Sequence, residues 1–298
     1  MRISNLSRLF LAIPATLAAP QQPDFSNTTT LPTHFGLLVF PHFQALDVFG
    51  PMDVLNTLSM LYSNTTMYLS IISKTLDPVS TAMMGMHGSV DFGESIMPTI
   101  TFHKYLARSR KDGEDDNQED NNKCEDGAGG YVVAKNKCPS HGHGSMANTT
   151  TGKNLGDIEV LIVPGGGGTR QNMTEEIAFV KELYPKLKYI ISVCTGATIL
   201  ARAGILDGHK ATTNKRSWAW ATSTGLNVTW VPTARWVEDG NMFTSSGISA
   251  GIDVMYAWVS RVYGDEVAQY LSLSAEYDRE TDSHYDLYGK IWDVPGAT

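Results

Sequence analysis

An apolar run, Tyr189-Ile190-Ile191-Ser192-Val193, stops at Cys194 and turns through Thr195-Gly196-Ala197. That order predicts a buried strand, a sharp elbow and a helix opening near Ala197. A strand feeding directly into a helix belongs to α/β architecture. The elbow would lift one thiol out of the sheet toward helix N–H groups that favour its thiolate, which makes Cys194 the candidate nucleophile. A buried core cysteine is the plain alternative. The following Thr195-Gly196 and a second glycine cluster upstream weigh toward function.

The rest of the chain repeats the same rhythm. His34 to Phe40, Met67 to Ser73 and Ile158 to Val163 are short apolar runs suited to central parallel strands. A helix is expected from about Asp47, with Pro51 in its first turn. Glu175 to Tyr184 is amphipathic helix, and Gly251 to Val259 a buried one. Asn227 to Trp230, Trp236 to Glu238 and Met242 to Ser245 are further strands, and Gln269 to Ala275 is helical. Strands alternating with helices give an α/β sandwich around a largely parallel sheet. Trp218, Trp220 and Trp236 suit a core as well as a pocket lining.

At 298 residues and 42% hydrophobic content the chain can bury a full core. Its net charge of −8 and lack of a basic stripe exclude nucleic acid as an expected partner. No apolar stretch beyond the N-terminus is long enough for a membrane span. Residues 1–19 have the form of a secretory signal peptide: Arg2 and Arg8, then Leu9 to Ile13, then Ala15, Ala18 and Ala19. Sequons at Asn27, Asn64, Asn148, Asn172 and Asn227 exceed chance and point to secretion with glycosylation. Of three cysteines, Cys124 and Cys138 share one polar segment, so an oxidising compartment would pair them and leave Cys194 free.

One segment breaks the pattern. From about 108 to 156 the chain is polar, rich in Gly and Asn, and carries the acidic run Asp112 to Asp116. It cannot bury enough apolar surface to offset its ordering entropy, so a surface insertion is expected within a single domain over 33–298. His141-Gly142-His143 lacks a fixed third ligand, and no metal site is expected.

Three loops should meet at the carboxyl edge of the sheet, where open α/β sheets bind ligands: those at Asp47, at Gly165 to Gly168 and at Cys194. The glycine run lets backbone N–H groups approach a substrate, and with the Thr195 amide it could form an oxyanion hole. A plain tight turn is the alternative for the glycines taken alone.

Val163-Pro164-Gly165-Gly166-Gly167-Gly168, Ser192-Val193-Cys194-Thr195-Gly196-Ala197 and Ala211-Thr212-Thr213-Asn214 resemble the ThiJ/PfpI family of the glutamine-amidotransferase-like superfamily. Within it, Leu46-Asp47-Val48-Phe49-Gly50-Pro51 and Ser249-Ala250-Gly251-Ile252-Asp253 most resemble the isonitrile hydratase branch, which is also similar to sensor domains of AraC-type regulators. The resemblance covers roughly 34–264 apart from the insertion. It implies a flavodoxin-like three-layer sandwich that commonly dimerises, with no cofactor. It implies Cys194 as nucleophile, Asp47 as its acidic partner and Thr195 beside them. Gly166, Gly167 and Gly50 would face a small-molecule substrate.

If burial keeps Asp47 neutral, it can donate to the thiolate and then protonate the substrate. A helix N-terminal charge is the alternative for Asp47. Family members with protease or glyoxalase-like chemistry tend to carry a histidine soon after the elbow. Here that neighbourhood offers Asn214, and His209 beside the Asp207-Gly208 turn, so proteolysis is not supported. The expectation is a secreted Cys/Asp enzyme that hydrates an isonitrile. Hydrolysis of reactive carbonyl adducts and non-catalytic binding or redox sensing are the alternatives.

Overall fold

Short apolar runs bounded by glycine and proline become one seven-stranded sheet in this computed structural model, which describes residues 19–26, 30–63, 65–83, 92–111 and 156–297. In the first half lie β1 (His34–Leu38), α1 (Ala45–Leu61), β2 (Tyr68–Ser73), a ribbon of β3 (Val79–Ser80) and β4 (Ser95–Ile96), β5 (Ile100–Thr101) and α2 (Phe102–Lys111). There follow β6 (Val160–Val163), α3 (Thr174–Leu183), β7 (Tyr189–Ser192), α4 (Ala197–Arg202), β8 (Lys210–Ala211) and α5 (Trp218–Thr222). The chain closes with β9 (Thr229–Trp230), β10 (Trp236–Asp239), β11 (Met242–Ser245), α6 (Ala250–Tyr263), α7 (Asp265–Ser274) and α8 (Tyr288–Ile291).

The sheet runs β10-β11-β7-β6-β1-β2-β5, parallel throughout except for the antiparallel pair β10–β11. Every residue of β1 and β6 is buried, as two covered faces require. Helices α1, α6 and α7 pack together as one layer, and α3 packs on α4 in another. Trp258 of α6 wedges edge-on between Phe35 of β1 and Tyr189 of β7, with ring centroids 5.8 Å from each. The α/β sandwich expected from the sequence is therefore the fold.

Two glycines set how closely the layers approach. A Cβ at Gly50 would lie 2.8 Å from Ile252 Cγ1, and one at Gly251 would lie 2.6 Å from Val193 Cγ1. Both motifs around these glycines thus draw α1 and α6 together above the sheet. Pro51 departs from expectation: α1 begins at Ala45, so the proline sits inside the helix and not in its first turn. It denies the Asp47 carbonyl its usual helical N–H partner.

α2 continues to Lys111, past the expected start of the insertion. Residues 112–155, which hold Cys124, Cys138, Asn148 and the His141 pair, lie outside the described residues, as do residues 1–18, Asn27 and Asn64. Beyond α7 the chain packs back on the domain. Asp253 of α6 binds Arg235, accepts from Tyr277 Oη at 2.9 Å and accepts from the Glu280 N–H at 3.0 Å. Lys215 meets Asp286 at 3.5 Å, both side chains fully buried.

Candidate active site

The three expected loops do converge, and backbone hydrogen bonds join them. The chain turns to reverse direction between β2 and β6 on either side of β1, which places the topological switch point beside the β1 and β6 ends. There Gln44 N–H donates to Gly165 O at 2.9 Å, and Phe43 bridges Gly166. Gly165 N–H donates to Asp47 Oδ2 at 2.9 Å, and Gly166 N–H donates to Thr195 Oγ1 at 3.0 Å. The loop after β6 thereby fixes both the acid after β1 and the elbow after β7.

The elbow itself is strained in the manner its sequence implies. Cys194 has φ of 58°, in the left-handed region that residues bearing a Cβ seldom occupy. Three hydrogen bonds hold it: Cys194 N–H to Ser246 O at 3.0 Å, Thr213 Oγ1 to Cys194 O at 2.9 Å, and Gly196 N–H to Val193 O at 2.9 Å. Glycine is obligatory around it. A Cβ at Gly165 would lie 2.5 Å from the Thr195 nitrogen, and one at Gly196 would lie 2.3 Å from Val163 O.

Asp47 is fully buried, and its Oδ1 has no hydrogen-bond partner among the described residues. The carboxyl lies close enough to the Cys194 thiol to interact with it. Burial pushes Asp47 up to about 7, against the partial relief of the Gly165 N–H and the thiol. Cys194 is only 5% exposed, and burial with the adjacent carboxylate pushes its thiol up as well. The expectation of an exposed thiol acidified by a helix end is thus corrected: enclosure outweighs the N–H groups of Thr195 and Ile248 that face the sulfur. The two groups titrate as a pair, which passes from two protons to one as pH rises through about 7.

The glycines serve mainly as scaffold. Gly166 gives its N–H to Thr195 and Gly168 gives its own to His42 O at 3.1 Å. Gly167 stands against Met83, whose Cε would lie 3.0 Å from an added Cβ. Gly50 is buried in the α1–α6 seam and lines a groove of about 430 Å³ with Leu46, Phe49 and Ile252. Thr195 Oγ1 also accepts from Thr169 Oγ1 at 3.1 Å, so its hydroxyl ties the elbow to the glycine loop.

Asn172 and Asn227 are exposed. His209 pairs with Asp239 at 3.4 Å, half-exposed. Asp253 is the anchor described above. Trp236 is buried, Trp218 meets Trp230 edge-on, and the Arg170 guanidinium lies 3.8 Å above Trp220. Sequence reasoning noted Asn214 only as a departure and missed Ile248. Both face the thiol, brought there by the loops after β8 and β11. Among the described residues no cluster of three His, Cys, Asp or Glu could hold a metal, and no helix is long and apolar enough to cross a membrane.

This arrangement has relatives. The sequence pattern of the DJ-1/PfpI family matches residues 132–261. The chain is 29% identical over 244 residues to an isonitrile hydratase of Pseudomonas putida, covering 81% of this chain and 77% of that one. It is 31% identical over 124 residues to a deglycase of Pyrococcus horikoshii, 40% of this chain and 69% of that one. A crystal structure of a ThiJ/PfpI family protein from Pseudomonas syringae superposes with a TM-score of 0.54 at 25% identity, covering 90% of this chain and 81% of that one. A cysteine elbow at the sheet edge, an acid from the β1 loop and these likenesses agree: the chain belongs to the DJ-1/PfpI family.

Proposed function

We propose that the protein is a cofactor-independent Cys/Asp enzyme that adds water to the carbon of an isonitrile, giving an N-substituted formamide. The observation that carries this reading is the Asp47 carboxyl, buried against the Cys194 thiol with one oxygen unpartnered among the described residues. A carboxyl that changes charge at about pH 7 can both take and return a proton near neutrality. The likeness to the Pseudomonas putida isonitrile hydratase over most of both chains supports the substrate class.

In the proposed cycle Asp47 takes the thiol proton and Cys194 Sγ bonds to the terminal isonitrile carbon. Asp47 returns the proton to that carbon, giving a thioimidate. Water then adds to the same carbon, the C–S bond breaks, and the nitrogen and sulfur each end with one proton. The sum is isonitrile plus water to formamide, with the thiol regenerated.

The test is formamide production from an aryl isonitrile, followed by chromatography. Wild type should turn over, and Cys194→Ala and Asp47→Asn should each lose on the order of a thousandfold or more in kcat/KM. Turnover that persists in Cys194→Ala would sink the assignment. The likeness to a deglycase favours action on carbonyl adducts as a second reading, and methylglyoxal consumption in the same assay decides between them. The proposal extends to a secreted, glycosylated homodimer with a Cys124–Cys138 disulfide. Intact mass before and after reduction and deglycosylation checks the modifications, and light scattering checks the dimer.

A further inference from the structure

The loop carrying Asn214 is bolted on both sides. Thr212 N–H donates to Thr244 Oγ1 at 2.9 Å, and Thr213 Oγ1 donates to the Cys194 carbonyl at 2.9 Å. The next residue, Lys215, buries its ammonium on Thr212 Oγ1 at 2.6 Å, Ala234 O at 2.8 Å and Asp286. Between these anchors the Asn214 side chain has one orientation. Ser217 N–H donates to Asn214 Oδ1 at 3.0 Å, so the oxygen is spoken for and the Nδ2 branch turns to the other side. That branch lies 3.0 Å from where a Cβ on Gly247 would stand, directly before Ile248, whose N–H faces the sulfur. Gly247 leaves the room that lets the amide reach the thiol.

We propose that Asn214 stabilises the Cys194 thiolate once Asp47 has taken its proton, completing a three-donor cradle with the Thr195 and Ile248 N–H groups. The inference rests on the Cys/Asp reading above and says why that pair works without a histidine. Each donor in the cradle carries hydrogens that it does not release at any pH of interest. The proton leaving sulfur therefore has one destination, Asp47, and must return from there to the substrate. A histidine in the place of Asn214 would offer that proton a second home. The cradle thus suits net addition to a small electrophile, where the same proton is handed back, over transfer reactions that need a separate base and acid.

Carbamidomethylation of Cys194 by iodoacetamide, read site by site by mass spectrometry on the full chain, tests this across pH. In wild type the rate should rise through about pH 7, as the pair loses its first proton, and then level off. Asn214→Ala should keep that midpoint and lower the level by roughly tenfold to a hundredfold, the worth of one hydrogen bond to a charged group. Asn214→Asp keeps the acceptor for Ser217 and so the loop, but turns an acceptor toward sulfur, and its level should fall further. If Asn214→Ala fails to fold, the isosteric Asp variant decides alone. Wild-type labelling in folded Asn214 variants, with Asp47→Asn still abolishing the step near pH 7, overturns the role of Asn214 and leaves the Cys/Asp pair standing. A wild type without that step overturns both.

Discussion

Asp47 and Asp253 are both fully buried, and they live under opposite conditions. Asp253 is saturated: the Arg235 guanidinium, the Tyr277 hydroxyl and the Glu280 N–H all donate to it. Asp47 receives the Gly165 N–H, has the Cys194 thiol beside it, and keeps Oδ1 without a partner among the described residues. The first arrangement neutralises a buried charge and holds the C-terminal segment to α6. The second leaves the charge poorly compensated, which is why burial moves its ionisation toward neutrality. A buried carboxylate given every donor becomes structure, and one starved of donors becomes available for proton transfer.

The contrast can be broken most forcefully at Arg235. Arg235→Ala strands a buried carboxylate, and urea unfolding should show a loss of about 3–5 kcal/mol. A loss below about 1 kcal/mol would mean that Asp253 is not the anchor its contacts suggest. Asp47→Asn should act with the opposite sign. The folded carboxyl keeps its proton to about pH 7, whereas the unfolded one releases it near 3.8. The folded state therefore binds more protons between those values, and stability falls as pH rises through that window. An amide escapes this cost, so the variant should gain on the order of 2–4 kcal/mol at pH 8 and almost nothing near pH 4. Equal gains at both pH values would refute the elevated ionisation of Asp47.

Smaller changes sharpen the same comparison. Tyr277→Phe removes one of the donors to Asp253 and should cost about 1.5 kcal/mol in the same unfolding assay. Arg261→Ala breaks an exposed pair with Glu238 and should cost less than about 1 kcal/mol, more at low salt than at high. If the surface pair proves worth as much as Tyr277, burial is not what separates the two classes of contact.

Much of this was legible in the chain because it depends on local chemistry. Alternating apolar runs placed β1, β2, β6, β7 and the helices between them, and a cysteine followed by Thr195-Gly196 placed the elbow. The fully buried strands β1 and β6 could be read as parallel for the same reason. What escaped depends on contacts between distant segments. The two-residue strands β3, β4, β5 and β8 are too short to carry a period. The sign of the Cys194 shift turned on enclosure by other loops, which no elbow sequence encodes. The packing role of Gly50 also needed the fold, because Ile252 Cγ1, about two hundred residues on along the chain, lies 2.8 Å from where its Cβ would be. Asn214 looked like a missing histidine until Ser217 fixed which way its amide faces.

The near-complete enclosure of Cys194 also bears on what can reach it. A nucleophile with so little open surface discriminates by the girth of the atom it must attack. An isonitrile carbon is terminal and bare, the tip of a linear rod that can enter end-on while the bulk of the molecule stays outside. A carbonyl carbon carries two further substituents in its plane and needs a wider approach. On the proposed reading, that enclosure would favour slender electrophiles over bulky ones at Cys194.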